Sequence, residues 1–194
     1  MKPLFHITTR AAWDRSQGAG EYRPESLASE GLIHLSTDEQ WRHTLHRLFR
    51  DVDDLVVLQI DPSQLADVRL EAADGELFPH LYGPLATGAV THVRDAPRLV
   101  ALPAGFAARI KSSDDAIDEV VACSIDDHGR PTTYVVLAAK LGHAGKISLA
   151  EAMRRGEGGI PAGWMQCHSL PRQADGELDE VALLAYVESL VQND

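Results

Sequence analysis

The feature that most constrains the fold is an uninterrupted apolar run in the first half of the chain. Residues 55–58 read Leu-Val-Val-Leu, Ile60 follows after one glutamine, and Asp61-Pro62 ends the run. A half-buried strand alternates apolar and polar residues, whereas a continuous run is typical of a strand that is buried on both faces. We therefore predict a strand at residues 54–61 that is covered on both sides.

Composition and charge exclude several classes of partner. The 194 residues carry a formal net charge of -11, which disfavours binding to nucleic-acid backbones and to anionic membranes. No apolar run approaches the ~20 residues needed to span a bilayer, and the N-terminus lacks the apolar segment of a signal peptide. Two distant cysteines, Cys123 and Cys167, form no CxxC motif. We therefore expect a cytoplasmic protein with no nucleic-acid or membrane partner.

The segment from Gly31 to Trp41 predicts a short strand that leads directly into a helix. Its strand part carries His34 and Ser36, and Thr37 or Ser36 is a suitable helix N-cap. Asp38 and Glu39 follow in the first turn, where the helix dipole favours carboxylates. We predict a helix from about residue 38 to 49.

Three histidines occupy similar apolar surroundings. His6 lies close to Thr8, His34 close to Ser36, and His80 close to Tyr82. Because a histidine donates or accepts protons near neutral pH, three of them beside hydroxyl groups make a candidate pocket. The competing interpretation is that these are core histidines bonded to backbone groups.

The second half of the chain has a different pattern. Two apolar runs, residues 119–125 and 132–139, flank a turn rich in Asp, Gly and Pro and predict a hairpin. Helices are predicted at residues 149–155 and 177–192, and the second has an apolar stripe that includes Leu184, Val187 and Leu190. We place a domain boundary after residue 104, giving an N-terminal domain at 1–104 and a small α+β domain of unknown type at 105–194.

An ordered set of residues carries a resemblance to a known family. The set comprises Phe5-His6-Ile7 with Trp13, residues 22–27, residues 30–36 with Gln40, residues 58–61, Glu71, and residues 78–85. On this set, residues 2–103 resemble the DUF952 family, small bacterial proteins of unknown function. The remaining residues resemble no family known to us.

The resemblance implies a fold and a set of roles. It implies an α+β protein with an ADP-ribosyltransferase-like split β-sandwich, in which two small sheets enclose a nicotinamide-dinucleotide cleft. It further implies NAD as a ligand or substrate, with His6 and His34 positioning it and Glu71 stabilising charge on the ribose. The residues implied to contact the ligand are Thr8, Tyr22, Ser36, Gln40, His80 and Tyr82.

Three functional interpretations remain open at this stage. The first is an NAD-dependent ADP-ribosyl transferase or nucleotide-binding domain, and the second is a binding or protein-interaction module of the same fold without turnover. The third is a metal-dependent hydrolase, because His6, His34, His80 and His92 supply imidazoles. None of them is spaced as HxH or HExxH, so we assign no metal ligand. Fold resemblance alone does not decide among these interpretations.

Overall fold

The chain forms two compact units of mixed helix and strand. The computed structural model describes residues 2–73, 75–140 and 162–192. The units are Met1–Ala96 and Pro97–Asp194. Their division falls before the predicted boundary at residue 104, because Arg98–Val100 is a strand that pairs within the second unit. The coarse prediction of an α+β protein is confirmed.

The N-terminal unit contains short strands and three short helices within its described residues. Its strands are β1 (Leu4–Thr9), β2 (Glu21–Tyr22), β3 (Ile33–His34), β4 (Leu55–Ile60), β5 (Val68–Ala73), β6 (Glu76–Leu81), β7 (Leu85–Ala86) and β8 (Val90–Asp95). Its helices are α1 (Arg10–Ser16), α2 (Glu25–Ser29) and α3 (Trp41–Leu48). Two 3-10 turns lie at Pro62–Gln64 and Thr87–Ala89.

Two antiparallel sheets of three strands organise this unit. One has the strand order β1-β4-β8 and the other β3-β6-β5, while β2 pairs with β7. The two larger sheets are connected where Phe5 of β1 bridges to Ser36, just beyond β3. The Phe5 N–H donates to the Ser36 carbonyl at 2.9 Å, and the Ser36 N–H donates to the Phe5 carbonyl at 2.8 Å. This bridge brings the histidine-bearing strands β1 and β3 side by side.

Strand β4 is the central strand of its sheet, as its apolar run predicts. Its side chains alternate between two clusters, because successive residues of a strand point to opposite faces. Val57 packs with Trp41 of α3, whereas Val56 and Leu58 pack with Trp13, Tyr22 and Ile33. Burial of both faces explains why no polar alternation is seen along this strand.

The helix predicted at residues 38–49 begins three residues later than expected, at Trp41. The turn before it still has the bonds of a helix start, because the Trp41 N–H donates to the Thr37 carbonyl at 3.1 Å. Gln40 Oε1 accepts from the Thr37 N–H at 3.1 Å, which is the reciprocal half of a capping box. The polar residues after β3 therefore position α3 against the sheet.

The segment around Pro24 is extended only in its first part. Because a proline restricts its predecessor, the sequence predicts an extended or turn segment at residues 21–27. Glu21–Tyr22 is a strand and Pro24 is extended, in agreement with this, but α2 begins directly afterwards at Glu25. A proline's restriction acts on the residue before it and leaves the residues after it free to enter a helix, as α2 does.

In its described residues, 97–140 and 162–192, the second unit has one four-stranded sheet with a helix on each face. Its elements are β9 (Arg98–Val100), α4 (Phe106–Lys111), β10 (Ile117–Asp126), β11 (Pro131–Ala139), β12 (Ala162–Cys167) and α5 (Glu180–Val191). The sheet has the order β12-β11-β10-β9, with β12 parallel to β11. Val135 and Leu137 pack with α4, and Val136 and Ala138 pack with α5. The predicted hairpin is confirmed as β10 and β11.

Two predicted helices have different outcomes. The helix predicted at residues 149–155 lies outside the described residues. The last helix is confirmed as α5. Leu184 and Val187 of its predicted apolar stripe are buried, whereas Leu190 is exposed and Leu183, outside the stripe, is buried. Across the described ranges, no helix is long and apolar enough to cross a membrane.

Candidate ligand-binding site

The N-terminal unit contains a cavity of about 890 Å³ beside the bridged strands β1 and β3. Six of the sequence-predicted site residues line it. They are His6, Thr8, Tyr22, His34, Ser36 and His80. Three histidines that lie far apart in sequence thus lie around one cavity.

His6, in the lining of this cavity, is held in a single orientation by two hydrogen bonds. Its Nδ1 lies 2.7 Å from the His34 carbonyl oxygen, and its Nε2 lies 3.1 Å from the Tyr22 hydroxyl. Since a carbonyl oxygen only accepts, Nδ1 carries the proton and Nε2 accepts from Tyr22. Thr8 Oγ1 lies 2.8 Å from the same phenolic oxygen. Both ring nitrogens of His6 are therefore occupied by protein groups.

The environment of His6 keeps its ring neutral. Burial lowers its pKa to about 4, and this effect outweighs the hydrogen bond to the His34 carbonyl, which raises it. Positive charge on His34 lowers the pKa of His6 further. Burial likewise raises the pKa of Tyr22, so its phenol remains protonated and able to donate. The pair is a neutral hydrogen-bonded unit at neutral pH.

His34 and His80 lie opposite each other on β3 and β6. His34 Nδ1 is 3.4 Å from His80 Nε2, and the two rings are nearly perpendicular, with centroids 5.1 Å apart. His80 is buried, whereas the His34 side chain is 54% exposed. These two imidazoles therefore meet in the cavity with their ring nitrogens facing each other.

A carboxylate lies behind each of these two imidazoles. Glu71 Oε2 lies 2.6 Å from His80 Nδ1, and Glu30 Oε2 lies 3.1 Å from His34 Nε2. The other Glu71 oxygen accepts from the Tyr82 hydroxyl at 2.6 Å. The result is a continuous chain of contacts from Tyr82 through Glu71, His80 and His34 to Glu30.

The carboxylate of Glu71 is held in its ionised form by its neighbours. The Tyr82 hydroxyl and then the His80 ring lower the pKa of Glu71, because both hydrogen bonds favour the charged carboxylate. The same contact raises the pKa of Tyr82, since ionising the phenol would place two negative charges together. The Arg69 guanidinium stacks 4.0 Å above the Tyr82 ring. Glu71 thus fixes two side chains in place.

Comparison with known families identifies the N-terminal unit. Residues 7–93 match the model of DUF952, a protein family of unknown function. The X-ray structure of protein CC0527 from Caulobacter crescentus is 35% identical, with 53% of this chain and 90% of that chain covered and a TM-score of 0.46. The chain belongs to the DUF952 family. Its DUF952 residues include the whole chain of contacts from Glu30 to Tyr82.

Other comparisons add no function to this DUF952 unit. The solution NMR structure of CC0527 is 34% identical, covering 54% of this chain and 89% of that chain with a TM-score of 0.44. Apo MatB from Rhodopseudomonas palustris is 13% identical, covering 97% of this chain and 35% of that chain with a TM-score of 0.38. Comparison with curated proteins gave no match.

Three of the predicted site residues do not line the cavity. Glu71 and Tyr82 lie behind His80 and reach the cavity only through it. Gln40 has a structural contact at each end of its amide: Oε1 accepts from Thr37, and Nε2 donates to the Leu77 carbonyl at 3.0 Å and to Glu76 at 3.3 Å. Gln40 therefore joins the start of α3 to β6.

Some residues of this candidate site lie outside the predicted set. Glu30 was part of the family pattern, but nothing in its local sequence indicates that its carboxylate faces His34. Arg15 and Arg47 line the cavity from α1 and α3. Arginines on short helices give no sequence signal for a pocket, because most of them lie on solvated faces.

The described residues offer no metal centre and no reactive thiol. Within residues 2–73, 75–140 and 162–192 there is no group of three or more His, Cys, Asp or Glu side chains that could hold a metal ion. Burial raises the pKa of Cys123 to about 12 and also raises that of Cys167. Cys167 is buried whereas the neighbouring His168 is exposed, so the two residues do not form a thiol and base pair.

Proposed function

We propose that the DUF952 unit binds a small molecule in the histidine-lined cavity, and that this molecule is a nucleotide such as NAD, ADP-ribose or AMP. One observation carries the proposal: His6, His34 and His80 line the same cavity. Its volume of about 890 Å³ lies within the ~300–1,000 Å³ of small-molecule sites. A nucleotide fits the residue types, since it has rings to pack and phosphates to pair with cations.

The three histidines divide between two roles in this proposal. His6 positions the neighbouring groups, because both its ring nitrogens are already occupied by Tyr22 and His34. His34 and His80 are the groups that contact the ligand, since their free faces border the cavity and the carboxylates lie behind them. Proton donation or acceptance by this pair is the chemistry that its arrangement supports.

The more specific form of the proposal is an ADP-ribosyltransferase-like domain, in which a nucleophile of an acceptor molecule bonds to the ribose carbon of NAD as nicotinamide leaves with the electrons of the broken bond. In that form His6 and His34 position NAD, and Glu71 stabilises positive charge on the ribose. The carboxylate of Glu71 already accepts from Tyr82 and His80, so its charge would act through the His80 ring. The same engagement of Glu71 favours the second candidate, a nucleotide-binding module without turnover.

Calorimetric titration of NAD, ADP-ribose and AMP into the whole chain tests the binding proposal. We expect saturable binding that weakens at least tenfold, about 1.4 kcal/mol, in His34→Ala. His92→Gln is the matched control, because His92 is an exposed histidine on β8 that does not line the cavity. No heat with any of the three ligands, in protein shown to be folded, would refute the nucleotide assignment.

Nicotinamide release then separates the two forms. Chromatography of NAD incubated with the protein detects free nicotinamide if the transferase form holds. Stoichiometric binding without release, even with added protein acceptors, supports the binding module. Retention of stoichiometric metal by untagged protein would instead favour the metal-dependent hydrolase.

A further inference from the structure

The contact between His34 and His80 favours a particular number of protons on the two rings. Glu71 Oε2 lies 2.6 Å from His80 Nδ1, so that nitrogen carries a proton and donates it to the carboxylate. A neutral His80 then presents a lone pair at Nε2. The nearest described partner of that lone pair is His34 Nδ1, at 3.4 Å. His34 completes this contact only if its own Nδ1 is protonated.

The contact of His34 Nε2 with Glu30 favours a second proton on the His34 ring. Glu30 Oε2 lies 3.1 Å from His34 Nε2. A neutral His34 with its proton on Nδ1 would direct a lone pair at this carboxylate, which is repulsive. With both nitrogens protonated, His34 donates to His80 and to Glu30 at once. All contacts between Tyr82 and Glu30 are then satisfied.

We propose that His34 and His80 hold one excess proton between them, and that the resulting imidazolium binds the phosphate of the nucleotide in the cavity. The phosphate part of this inference rests on the proposed function, whereas the shared proton does not. Three of the four ring nitrogens are protonated in this state, against two in a pair of neutral histidines.

The surrounding charges favour this placement of a cation. Glu30 and Glu71 stabilise the imidazolium from behind, and neither carboxylate lines the cavity. On β1, His6 is neutral and adds no charge. The imidazolium of the His34–His80 pair therefore borders the cavity. Hydrogen bonds from such a charged group to a phosphate are strong.

Other charged groups border the same cavity. Arg15 and Arg47 also line it and would attract the same anion. The cavity also has two acidic residues, Glu21 and Glu25, and Glu21 is paired with Arg23 at 2.8 Å. The cavity lining therefore contains other cations besides the histidine pair.

Nitrogen-15 NMR of the histidine rings tests the shared proton without any ligand. In metal-stripped protein at pH 7 we expect signals from three protonated nitrogens on His34 and His80. Glu30→Gln, which removes the negative charge that stabilises a proton on His34 Nε2, should reduce the count to two, and His92→Gln should leave it at three. Two protonated nitrogens in the folded wild type, or a metal ion that resists stripping and shifts both rings, overturn the shared proton.

Comparison of AMP with adenosine tests the phosphate assignment. We expect AMP to bind the wild type at least tenfold more tightly than adenosine, and this ratio to fall to about threefold or less in His34→Gln and His80→Gln. Equal binding of AMP and adenosine overturns the phosphate subsite but preserves a nucleoside-binding cavity. Failure of both ligands to bind overturns the proposed function and the subsite together, and the nitrogen count still decides the shared proton.

Discussion

The hydroxyl of Tyr22 lies 3.1 Å from His6 Nε2, and both side chains are buried. This contact joins β2 to β1 in the lining of the cavity, and Thr8 Oγ1 lies 2.8 Å from the same phenolic oxygen. The ring of Tyr22 also packs against Trp13, with centroids 6.1 Å apart. Tyr22 therefore combines a hydrophobic contact with the polar contact that fixes His6.

Removing the Tyr22 hydroxyl should destabilise the N-terminal unit. Tyr22→Phe leaves the His6 lone pair and the Thr8 hydroxyl without their partner, which costs about 1–3 kcal/mol in the free energy of unfolding. Urea unfolding followed by Trp13 and Trp41 fluorescence in a Trp164→Phe background measures this unit. Tyr186→Phe, at an exposed tyrosine, is the matched control and should change stability by less than about 0.5 kcal/mol. Equal stability of the two variants would contradict the role of Tyr22.

The neutral His6 should make the stability of the unit depend on pH. Its folded pKa of about 4 lies below the ordinary value of 6.5, so the unfolded chain binds the proton more readily. This contribution is complete above pH 6.5 and is lost as the pH falls towards 4. Between pH 7.5 and 5 the loss amounts to about 2 kcal/mol.

Substitution of His6 isolates this pH effect. His6→Gln should remove that part of the dependence, whereas His92→Gln should retain it. The measurement is urea unfolding at a series of pH values in the same Trp164→Phe background. If the wild type and His6→Gln lose stability in parallel below pH 6.5, His6 is not the titrating group.

Neutralising Glu71 should change the ionisation of Tyr82. The carboxylate raises the pKa of Tyr82 through their hydrogen bond, and Glu71→Gln removes the negative charge that opposes phenolate formation. We expect the pKa of Tyr82 to fall towards 10, measured by NMR of the phenolic carbon. Glu21→Gln is a control at a surface glutamate on β2. An unchanged Tyr82 pKa would show that the Glu71 contact does not persist in solution.

Gly163 of β12 should not tolerate a side chain. A Cβ at this position would lie 2.2 Å from Cε1 of Tyr134, and Tyr134 is anchored by its hydroxyl to Asp127 at 2.8 Å. Gly163→Ala is therefore expected to destabilise β11 and β12 by about 1–3 kcal/mol, measured by amide hydrogen exchange.

A second substitution tests the cause of that destabilisation. Tyr134→Ala removes the ring that the new methyl group would meet, so adding Gly163→Ala to it should cost less than about 1 kcal/mol. Gly88→Ala is a control, because nothing lies within 4 Å of its added Cβ. A full penalty in the Tyr134→Ala background would place the cause elsewhere.

The two cysteines should be unreactive in the folded protein. Burial raises the pKa of Cys123 to about 12, and that of Cys167 is raised for the same reason, so little thiolate exists near neutral pH. We expect no reaction with a chromogenic disulfide at pH 8 within an hour and two equivalents after denaturation. Rapid labelling of either cysteine in the native protein would refute this.

Local sequence information was sufficient for the elements whose pattern has a single structural solution. The continuous apolar run of β4 required burial on both faces, and the polar turn between residues 126 and 131 required a hairpin. The start of α3 was placed less accurately, because the Thr37–Gln40 bonds form a turn before the regular helix begins. Sequence patterns report local backbone preferences, and these are the features that such preferences determine.

The arrangement of the site was decided only by tertiary structure. Sequence and family pattern selected His6, His34 and His80, but not the pairing of β3 with β6 that sets His34 against His80. They also could not show that Glu71 contacts His80, that Gln40 joins the start of α3 to β6, or that Glu30 contacts His34. These relationships depend on strand register and on contacts between distant residues, which no local preference encodes, whereas residue type and apolar periodicity are present in the sequence itself.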